Sequence, residues 1–397
     1  MPENDHKSSN IKLIDAVLDQ WEQYGHDRIS ARQLSAAASI PVSSIYHHFG
    51  SLEQLLVLSQ EQAQALARQW CDDRLTQIAG LPADSRAFPP FFAACVDDWV
   101  TRERRLAFAW REGQLLRTQG PAACQQRVRW QSLWSDFWQA VMAHFGLGRG
   151  ASVVNRLFEN ESFLHMIDWR RAVDRAGLDE FARGLGAWLT GDAVPPAPWR
   201  DFARSTALAS MPDAPDHDDM MRSIVAAAAS LIERAGPGGL THRAVAEAAG
   251  LTLGAVSHKV RTKAELMQVG YEALYMQAVA RLRAQTAALP SGDLSLGGIA
   301  DFMAASSGNI GIDALHLAVA RDPALRQFGL QLRYLRGETS RALYRMLLPL
   351  RPEPCHLESA LLSAFLASLS RSHLDYMADE ARAAMRIALA DLTGMFR

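Results

Sequence analysis

One sequence pattern occurs twice in this chain, about half a chain apart. The segments Gly25–Phe49 and Gly236–Val260 align without a gap. The matched positions share their chemical character: Ile29 with Leu240, Ser30 with Thr241, Leu34 with Val245, Ala38 with Ala249, Ile40 with Leu251, Ile45 with Val256, and His47 with His258. A repeat of this length predicts two copies of one structural unit in a single chain.

Each copy predicts a helix-turn-helix. Ser30 and Thr241 each precede a short apolar-periodic run, where a hydroxyl can accept a hydrogen bond from the first turn of a helix. That helix ends in small residues, of which Gly250 suits a tight turn and Ser39 suits it less well. In the next helix, the apolar residues form one stripe that we expect to face a core, namely Val42, Ile45 and Phe49, matched by Leu253, Val256 and Val260.

The rest of that second helix is expected to face outwards. Its residues are polar or small: Ser43, Ser44, Tyr46, His47 and His48 in the first copy, and Gly254, Ala255, Ser257, His258 and Lys259 in the second. Such a surface after a tight turn suits entry into the major groove of DNA. An ordinary solvated helix in an α-hairpin is the alternative, and the repetition in register makes it less favourable.

At these residues the chain resembles the TetR family of bacterial transcription repressors. The first copy matches the family pattern at Val42-Ser43, Ile45-Tyr46, His48-Phe49, Ser51 and Glu53-x-Leu55. The second copy matches at Leu253, Val256, Thr262-Lys263 and Glu265-Leu266, but has Ser257 in place of the tyrosine and Val260 in place of the phenylalanine. The resemblance implies that the tyrosine and the lysine of the family pattern touch phosphates. The first copy keeps the tyrosine, as Tyr46, and the second copy keeps the lysine, as Lys263.

The resemblance and the expected outward faces together predict contacts with a double-stranded DNA operator. In the first copy, the candidates are Ser30, Arg32, Ser43, Ser44, Tyr46, His47, His48 and Ser51. In the second copy, they are Thr241, Arg243, Gly254, Ala255, Ser257, His258, Lys259, Arg261 and Lys263. The second copy has four basic and two acidic residues between Gly236 and Leu266, whereas the first has two of each between Gly25 and Leu55. We therefore expect stronger backbone contacts from the second copy, and one copy with partly lost DNA binding remains an alternative.

The composition of the whole chain excludes several protein classes. With 49% hydrophobic and 21% charged residues, the 397-residue chain is typical of a soluble globular protein. No apolar run reaches the roughly 20 residues that span a bilayer, and no secretory signal opens the chain, so a cytoplasmic protein without membrane contact is expected. The four cysteines show no metal or redox spacing, and we expect buried thiols. The sequence contains no catalytic, phosphate-binding or metal-binding motif, so we expect that the protein is not an enzyme and binds no cofactor.

The pattern predicts an all-α fold with two tandem TetR-like halves. Each half comprises a helix-turn-helix DNA-binding domain and a helical effector and dimerisation domain. The expected boundaries are a disordered tail at 1–10, the first DNA-binding domain at 11–70, the first effector domain at 71–191, a proline-rich linker at 192–219 with a short helix near Phe202–Leu208, the second DNA-binding domain at 220–283, and the second effector domain at 284–397.

The last two helices of each half carry long apolar stripes. They are expected at Ser152–Arg175 and Leu178–Leu189, with a break at Gly177, and at Cys355–Met377 and Glu380–Phe396. In the family that the chain resembles, such a pair builds a four-helix dimer interface. Since one chain supplies both pairs here, the resemblance implies an intramolecular pseudo-dimer, which further dimerisation would not contradict.

All ten tryptophans lie in the first half. With neighbouring aromatic and polar residues they predict a wall of an effector pocket, formed by Trp99, Trp110, Trp130, Trp134, Trp138, Phe163, His165 and Trp169. By itself the stripe favours a plain hydrophobic core, and the pocket is expected because the resemblance implies a ligand site in this domain. In the second half the polar-tipped candidates are His316, Tyr334, Tyr344, His373 and Tyr376.

These observations predict a ligand-responsive transcription regulator that acts as a repressor. It is expected to bind an imperfect palindromic operator with both helix-turn-helix copies and to be released by a small-molecule effector. A ligand-binding or protein-binding module with one or both helix-turn-helix copies inactive is the alternative.

Overall fold

The computed structural model describes residues 9–26, 29–115, 120–211, 215–285, 295–306, 310–337, 340–349, 351–372 and 378–396. These residues form twenty α-helices and no strand, in agreement with the all-α expectation. The helices are α1 Ser9–Gln23, α2 Ala31–Ala38, α3 Val42–Phe49, α4 Leu52–Ile78, α5 Phe88–Thr101, α6 Arg104–Leu115, α7 Gly120–His144, α8 Ala151–Leu164, α9 Arg171–Thr190, α10 Pro198–Ala209, α11 Asp219–Ala235, α12 His242–Ala249, α13 Leu253–Lys259, α14 Lys263–Gln285, α15 Leu296–Ser306, α16 Ile310–Arg321, α17 Gly329–Tyr334, α18 Arg341–Leu347, α19 His356–Ser372 and α20 Ala378–Gly394.

The described structure divides into two compact units. The first unit comprises Met1–Ala83 and Asp98–His144, and the second comprises Asp84–Asp97 and Phe145–Arg397. The segment 71–191, expected as one effector domain, is thus divided between the two units. At the N-terminus, α1 begins at Ser9, inside the segment expected to be a tail.

The first unit is built on α1 and α4. Helix α1 packs against α2, α4 and α6, and α4 packs against α3, α6 and α7. The core-facing side of α1 is apolar, because Leu13, Val17 and Trp21 are fully buried. The helix-turn-helix formed by α2 and α3 is therefore fixed by α1 and α4 to the helices that carry the tryptophans.

The second unit repeats this arrangement for the second helix-turn-helix. Helix α11 packs against α12, α14 and α16, and α12 packs against α13. Its core is made by small and branched apolar side chains such as Ile224, Ala228, Ile232 and Val245. The two copies thus share their local packing: α1 packs against α2 in the first copy, and α11 packs against α12 in the second.

The same unit contains the two helix pairs expected to form an interface. Helix α19 packs against both α8 and α9, and α20 packs against α8. The contact between α9 and α19 is close at Gly184, where an added Cβ atom would lie 2.6 Å from Cδ2 of Leu357.

The boundary inside the first pair was predicted wrongly. Helix α9 runs through Gly177 without a break, and α8 ends at Leu164. A local capping interaction explains the observed start of α9, because the Asp174 carboxylate accepts hydrogen bonds from the backbone N–H groups of Trp169 and Arg170, at 2.9 and 3.0 Å. Gly177 lies one turn further on and faces the Arg200 side chain.

The proline-rich segment between the halves contains the expected short helix, which is longer than expected. Helix α10 packs against α9 and α17 through the buried residues Ala203 and Ala207. Its start is held by Glu180, whose two carboxylate oxygens each accept a 2.9 Å hydrogen bond from the backbone N–H groups of Trp199 and Arg200. This part of the linker is therefore a packed structural element.

Candidate nucleic-acid interface and effector site

The first helix-turn-helix has the cap and the turn that its sequence predicts. The Ser30 hydroxyl accepts a 3.3 Å hydrogen bond from the Gln33 backbone N–H, which caps α2. Ser39 makes the turn in the left-handed conformation, with φ 55° and ψ 42°. Ser51, expected at the DNA, caps α4 by accepting from the Gln54 N–H at 3.0 Å.

The second helix-turn-helix has the corresponding features and one more cap. Thr241 accepts a 3.1 Å hydrogen bond from the Ala244 N–H, and Gly250 makes the turn with φ 66°. The hydroxyl of Thr252 caps α13 by accepting from the Ala255 N–H at 3.2 Å. The sequence analysis missed this cap, although a threonine directly before an apolar helical run is a recognised start signal.

The outward faces of α3 and α13 carry the residues that the sequence places there. In the first copy, Ser43, Tyr46, His47 and His48 are exposed and Ser44 is half-buried. In the second copy, Gly254, His258 and Lys259 are exposed, and Ala255 and Ser257 are half-buried. The core-facing residues Ile45, Phe49, Val256 and Val260 are buried.

The apolar residue that opens each of these helices was assigned to the wrong face. Val42 is 37% exposed and Leu253 is 51% exposed. The reason is geometric, since the first residue of a short helix lies beyond the edge of the core that the next two turns cover. Each candidate interface therefore includes one accessible apolar side chain, suited to contact with a thymine methyl group.

The basic candidates of the second copy differ in their surroundings. Arg243, Arg261 and Lys263 are exposed. Lys263 is the first residue of α14, which is capped by a reciprocal pair: Thr262 accepts from the Glu265 N–H, and Glu265 accepts from the Arg261 N–H at 2.8 Å. Arg32, the basic candidate of the first copy, is also exposed, on α2.

Lys259 is engaged within the protein, which the sequence did not predict. Its Nζ lies 2.5 Å from Oδ2 of Asp218, the residue that caps α11 by accepting from the Met221 N–H. The hydrogen bond from Lys259, and then the one from Met221, lower the pKa of Asp218. The acidic end of the linker therefore engages one cation of α13 within the protein.

The tryptophan wall is a packed core in the first unit. Trp99, Trp110, Trp130, Trp134 and Trp138 are each at most 3% exposed. The ring of Trp134 lies 4.8 Å from that of Trp99 and 4.9 Å from that of Trp110, between centroids. Trp130 donates its indole N–H to Oε1 of Gln60 at 2.9 Å. The indole N–H of Trp99 has no acceptor among the described residues.

The other three members of the expected wall lie in the second unit. Phe163, His165 and Trp169 belong to the end of α8 and the segment that follows it, where Phe163 packs 5.1 Å from the His316 ring. Of the second-half candidates, His373 and Tyr376 lie outside the described residues, and Tyr344 donates its hydroxyl to Glu358 at 2.8 Å.

A buried polar network surrounds His165 and joins α8 and α9 to α17. A guanidinium nitrogen of Arg333 lies 2.6 Å from Nδ1 of His165, and another donates to the backbone carbonyl of Ile167. Asp174 accepts a 2.6 Å hydrogen bond from the Tyr334 hydroxyl and lies 3.4 Å from Arg333. Burial, followed by the charge of Arg333, lowers the pKa of His165 to about 4, so this imidazole is neutral and accepts from Arg333.

Glu161 completes this network beneath His165. Its Oε2 lies 3.4 Å from Nε2 of His165 and 3.9 Å from Arg200. Although burial acts to raise its pKa, the bond from His165 and the charges of Arg200 and Arg333 outweigh it, and the pKa of Glu161 is lowered. The sequence analysis named His165 and Tyr334 as isolated candidates but missed Arg333 and Asp174, because nothing local in the sequence connects positions this far apart.

The remaining chemistry is sparse in the described part of the chain. There, no group of three or more His, Cys, Asp or Glu side chains is placed to hold a metal ion, and no helix is long and apolar enough to cross a membrane. Cys71 and Cys95 are buried, and burial raises the pKa of Cys71. The expectation of buried thiols was wrong for Cys124 and Cys355, which are exposed.

Comparison with known proteins accounts for the repeat. The family model described as bacterial regulatory proteins, tetR family, matches residues 13–57 and 224–269, the two segments that contain the helix-turn-helix copies. A curated relative is the HTH-type transcriptional regulator CymR of Pseudomonas putida, 38% identical over 108 residues, which are 26% of this chain and 53% of the relative. The chain therefore spans about half the length of that relative. Both helix-turn-helix segments therefore match the DNA-binding region of bacterial regulatory proteins of the tetR family, which is consistent with a tandem of two such regions in one chain.

Proposed function

We propose that this chain is a ligand-responsive repressor that binds one imperfect palindromic operator with both of its helix-turn-helix copies. The observation that carries the proposal is the pair of recognition helices, α3 and α13, each packed against a core through buried apolar residues. Both present an accessible polar face. Two such helices bind one face of B-DNA when they are about 34–36 Å apart, or one helical turn.

The association of α8 and α9 with α19 and α20 supports binding as an intramolecular pseudo-dimer. In such an arrangement one chain supplies both half-site contacts. The second contact then forms at a high effective concentration, so binding does not depend on assembly of two chains. Pairing of two such molecules on a longer site is compatible with this proposal.

The unlike recognition faces support an asymmetric operator. The first copy offers hydrogen bonds from hydroxyl, phenol and imidazole groups, whereas Gly254 and Ala255 of the second offer close approach and apolar contact. Binding selection from random duplexes should therefore return two different half-sites. A symmetric consensus with equal information in both arms would contradict the proposal.

The release mechanism we propose is a population shift between two spacings of the recognition helices. An effector that binds one spacing better lowers operator affinity by the ratio of its affinities for the two states. In the first unit, α6 is linked to α1 by Arg105, 3.4 Å from Asp15 and 3.3 Å from Asp19, and to the start of the helix-turn-helix by Glu112, which accepts from the His26 N–H at 2.9 Å. These contacts offer a route from the effector helices to the DNA-binding helices.

The deciding experiment is the stoichiometry of the operator complex combined with single-copy variants. The mass of the complex on a minimal operator should correspond to one chain. Tyr46→Ala and His258→Ala should each weaken binding about tenfold through loss of one DNA contact. The exposed residue Ile387 on α20 supplies the control, and Ile387→Ala should leave binding unchanged.

The outcomes separate this function from its alternatives. Two chains per minimal operator, each with one idle copy, would exclude binding by both copies of one chain. If Tyr46→Ala abolishes binding while His258→Ala has no effect, the second copy serves only as a binding module. If the unmodified protein shows no salt-dependent binding to duplex DNA, the chain is a ligand-binding or protein-binding module instead.

A further inference from the structure

The two recognition helices end differently. Helix α3 runs to Phe49 and is followed by Gly50, which turns the chain with φ 76°. Helix α13 ends at Lys259, one position earlier in the repeat, and the next residue, Val260, is extended with φ −129° and ψ 107°. The counterpart of Gly50 in the second copy is Arg261, a residue type that rarely adopts positive φ. The chain therefore leaves the second recognition helix one residue earlier.

A histidine side chain binds the backbone at this early helix end. Because Val260 is extended, its carbonyl group does not continue along the helix axis, and Nε2 of His242 lies 2.9 Å from the carbonyl oxygen. A carbonyl oxygen only accepts, so Nε2 carries a hydrogen and donates it. The Val260 N–H donates to the Val256 carbonyl at 2.8 Å, so both backbone polar groups of Val260 are bonded.

The backbone of His242 is itself anchored. His242 is the first residue of α12, whose start is capped by Thr241, which accepts from the Ala244 N–H at 3.1 Å. Val245, one turn further on, is fully buried, and α12 packs against α11. The bond therefore joins an anchored helix start to the end of the recognition helix, 18 residues further along the chain.

The first copy cannot form this bond. Ala31 occupies the position of His242 and has no hydrogen-bonding side chain. In that copy the larger Phe49 side chain is buried at the end of α3, and Gly50 makes the turn. The second copy, which has the smaller Val260, thus has a polar contact where the first has an aromatic ring and a glycine.

The bonded carbonyl lies within the cationic segment of the second copy. Lys259 precedes Val260 and Arg261 and Lys263 follow it, and the last two are exposed. On the far side, the Arg261 N–H donates to Oε2 of Glu265 at 2.8 Å. Two side-chain contacts, one from α12 and one from α14, therefore fix the backbone from which these cations project.

We propose that His242 is a positioning residue for the DNA contacts of the second copy. By holding the Val260 carbonyl, it sets the direction in which the chain leaves α13 and places the segment Lys259–Lys263 against the phosphate backbone. Binding groups that are already held in place lose less conformational freedom on binding, which raises affinity. This inference rests on the proposed function, since it requires that the second copy binds DNA.

The test compares two substitutions of His242 on the operator that binding selection returns. His242→Leu keeps much of the bulk but removes the donor, and should weaken operator binding about threefold to tenfold, the effect of one hydrogen bond. His242→Gln keeps an N–H at a similar reach and carries no charge, so it should bind within about twofold of the parent. Unchanged binding by His242→Leu, or an equal loss in both variants, would overturn the proposal.

The salt dependence separates positioning from a purely structural role. In His242→Leu the slope of log affinity against log salt should fall by about 0.9, which corresponds to one lost phosphate contact. The matched control is His217→Leu, which removes another half-buried imidazole from the same unit and should change neither the affinity by more than about twofold nor the slope. Weaker binding of His242→Leu with the parental slope, or the same response from His217→Leu, would refute the assignment.

Amide exchange without DNA provides a readout that does not depend on operator binding. Residues 253–262 should exchange about threefold to tenfold faster in His242→Leu than in the parent, whereas α11 and α14 should keep the parental rates. Faster exchange throughout α11, α12 and α14 would mean that His242 serves folding of the whole domain, which contradicts a positioning role. A parent that does not bind with its second copy contradicts the proposed function as well, whereas parental binding that does not respond to His242→Leu contradicts this inference alone.

Discussion

The turn inside each helix-turn-helix offers a reciprocal test of how the sequence determines these motifs. Ser39 and Gly250 occupy equivalent positions and adopt the same left-handed conformation, with φ 55° and 66°. Ser39 is the one non-glycine residue with positive φ in the described part of the chain. We expect Ser39→Gly to stabilise the first copy and Gly250→Ser to destabilise the second.

The magnitude follows from two opposing terms. A side chain in the left-handed region costs about 1–2 kcal/mol, whereas glycine costs about 0.5–1 kcal/mol through the greater freedom of the unfolded chain. No atom lies within 4 Å of a Cβ added at Gly250, so steric contact adds no further cost there. The net expectation is a gain of about 0.5–1 kcal/mol for Ser39→Gly and a similar loss for Gly250→Ser.

Thermal and urea unfolding measure the effect, with amide exchange in α2 and α12 to localise it. A change of this size shifts the melting temperature of a unit this large by about 1–4 °C. Ser44→Gly is the control, because it places glycine inside a helix and should destabilise by about 0.5–1 kcal/mol. If Ser39→Gly lowers stability as Ser44→Gly does, or if both turn variants shift stability in the same direction, the strain at Ser39 is not real.

Three further outcomes are expected. Lys263→Ala should lower the slope of log affinity against log salt by up to about one unit without changing base preference, since each neutralised phosphate contributes about 0.9; a change in base preference would contradict a backbone role. Asp218→Asn should release Lys259 and raise both operator affinity and that salt slope, whereas an unchanged slope would mean that Lys259 does not reach phosphate. Because burial depresses the pKa values of His165 and His316 to about 4 and about 3, the unfolded state binds more protons below the ordinary histidine value of about 6.5. The second unit should therefore lose stability progressively as pH falls from about 6.5 towards 4, and His165→Gln should make that loss shallower.

What the sequence predicted well is local. The caps at Ser30 and Thr241 and the turns at Ser39 and Gly250 all follow from residues within a few positions of one another. Caps and turns depend on the backbone and side chains of a short segment alone. Because the two copies align without a gap, each predicted cap and turn could also be checked against its counterpart in the other copy. The helix-turn-helix pair and the all-α fold could therefore be predicted from the sequence.

What the sequence could not provide is the pairing of distant residues. Nothing near Lys259 in the sequence indicates Asp218, and nothing near Asp174 indicates Tyr334, 160 residues away. The same limit applies to the candidate effector site. Aromatic spacing on α7 showed that the tryptophans share a helix face, but whether that face meets a ligand or other rings depends on α4, α5 and α6.

The buried polar contacts between α8 and α19 give a physical reason why the helix pair of one half associates with the helix pair of the other half rather than with a second copy of itself. Helix α8 contributes the buried acids Glu159 and Glu161, and α19 contributes Arg371, 3.4 Å from Glu159. If two copies of α8 faced each other, Glu159 would be buried against its own copy without this arginine. Leaving a buried charge unpaired costs about 3–5 kcal/mol, more than most single contacts contribute. This asymmetry favours association of unlike halves and supports a pseudo-dimer built from one chain. Such a pseudo-dimer requires the buried acid on α8 of the first half and the arginine on α19 of the second.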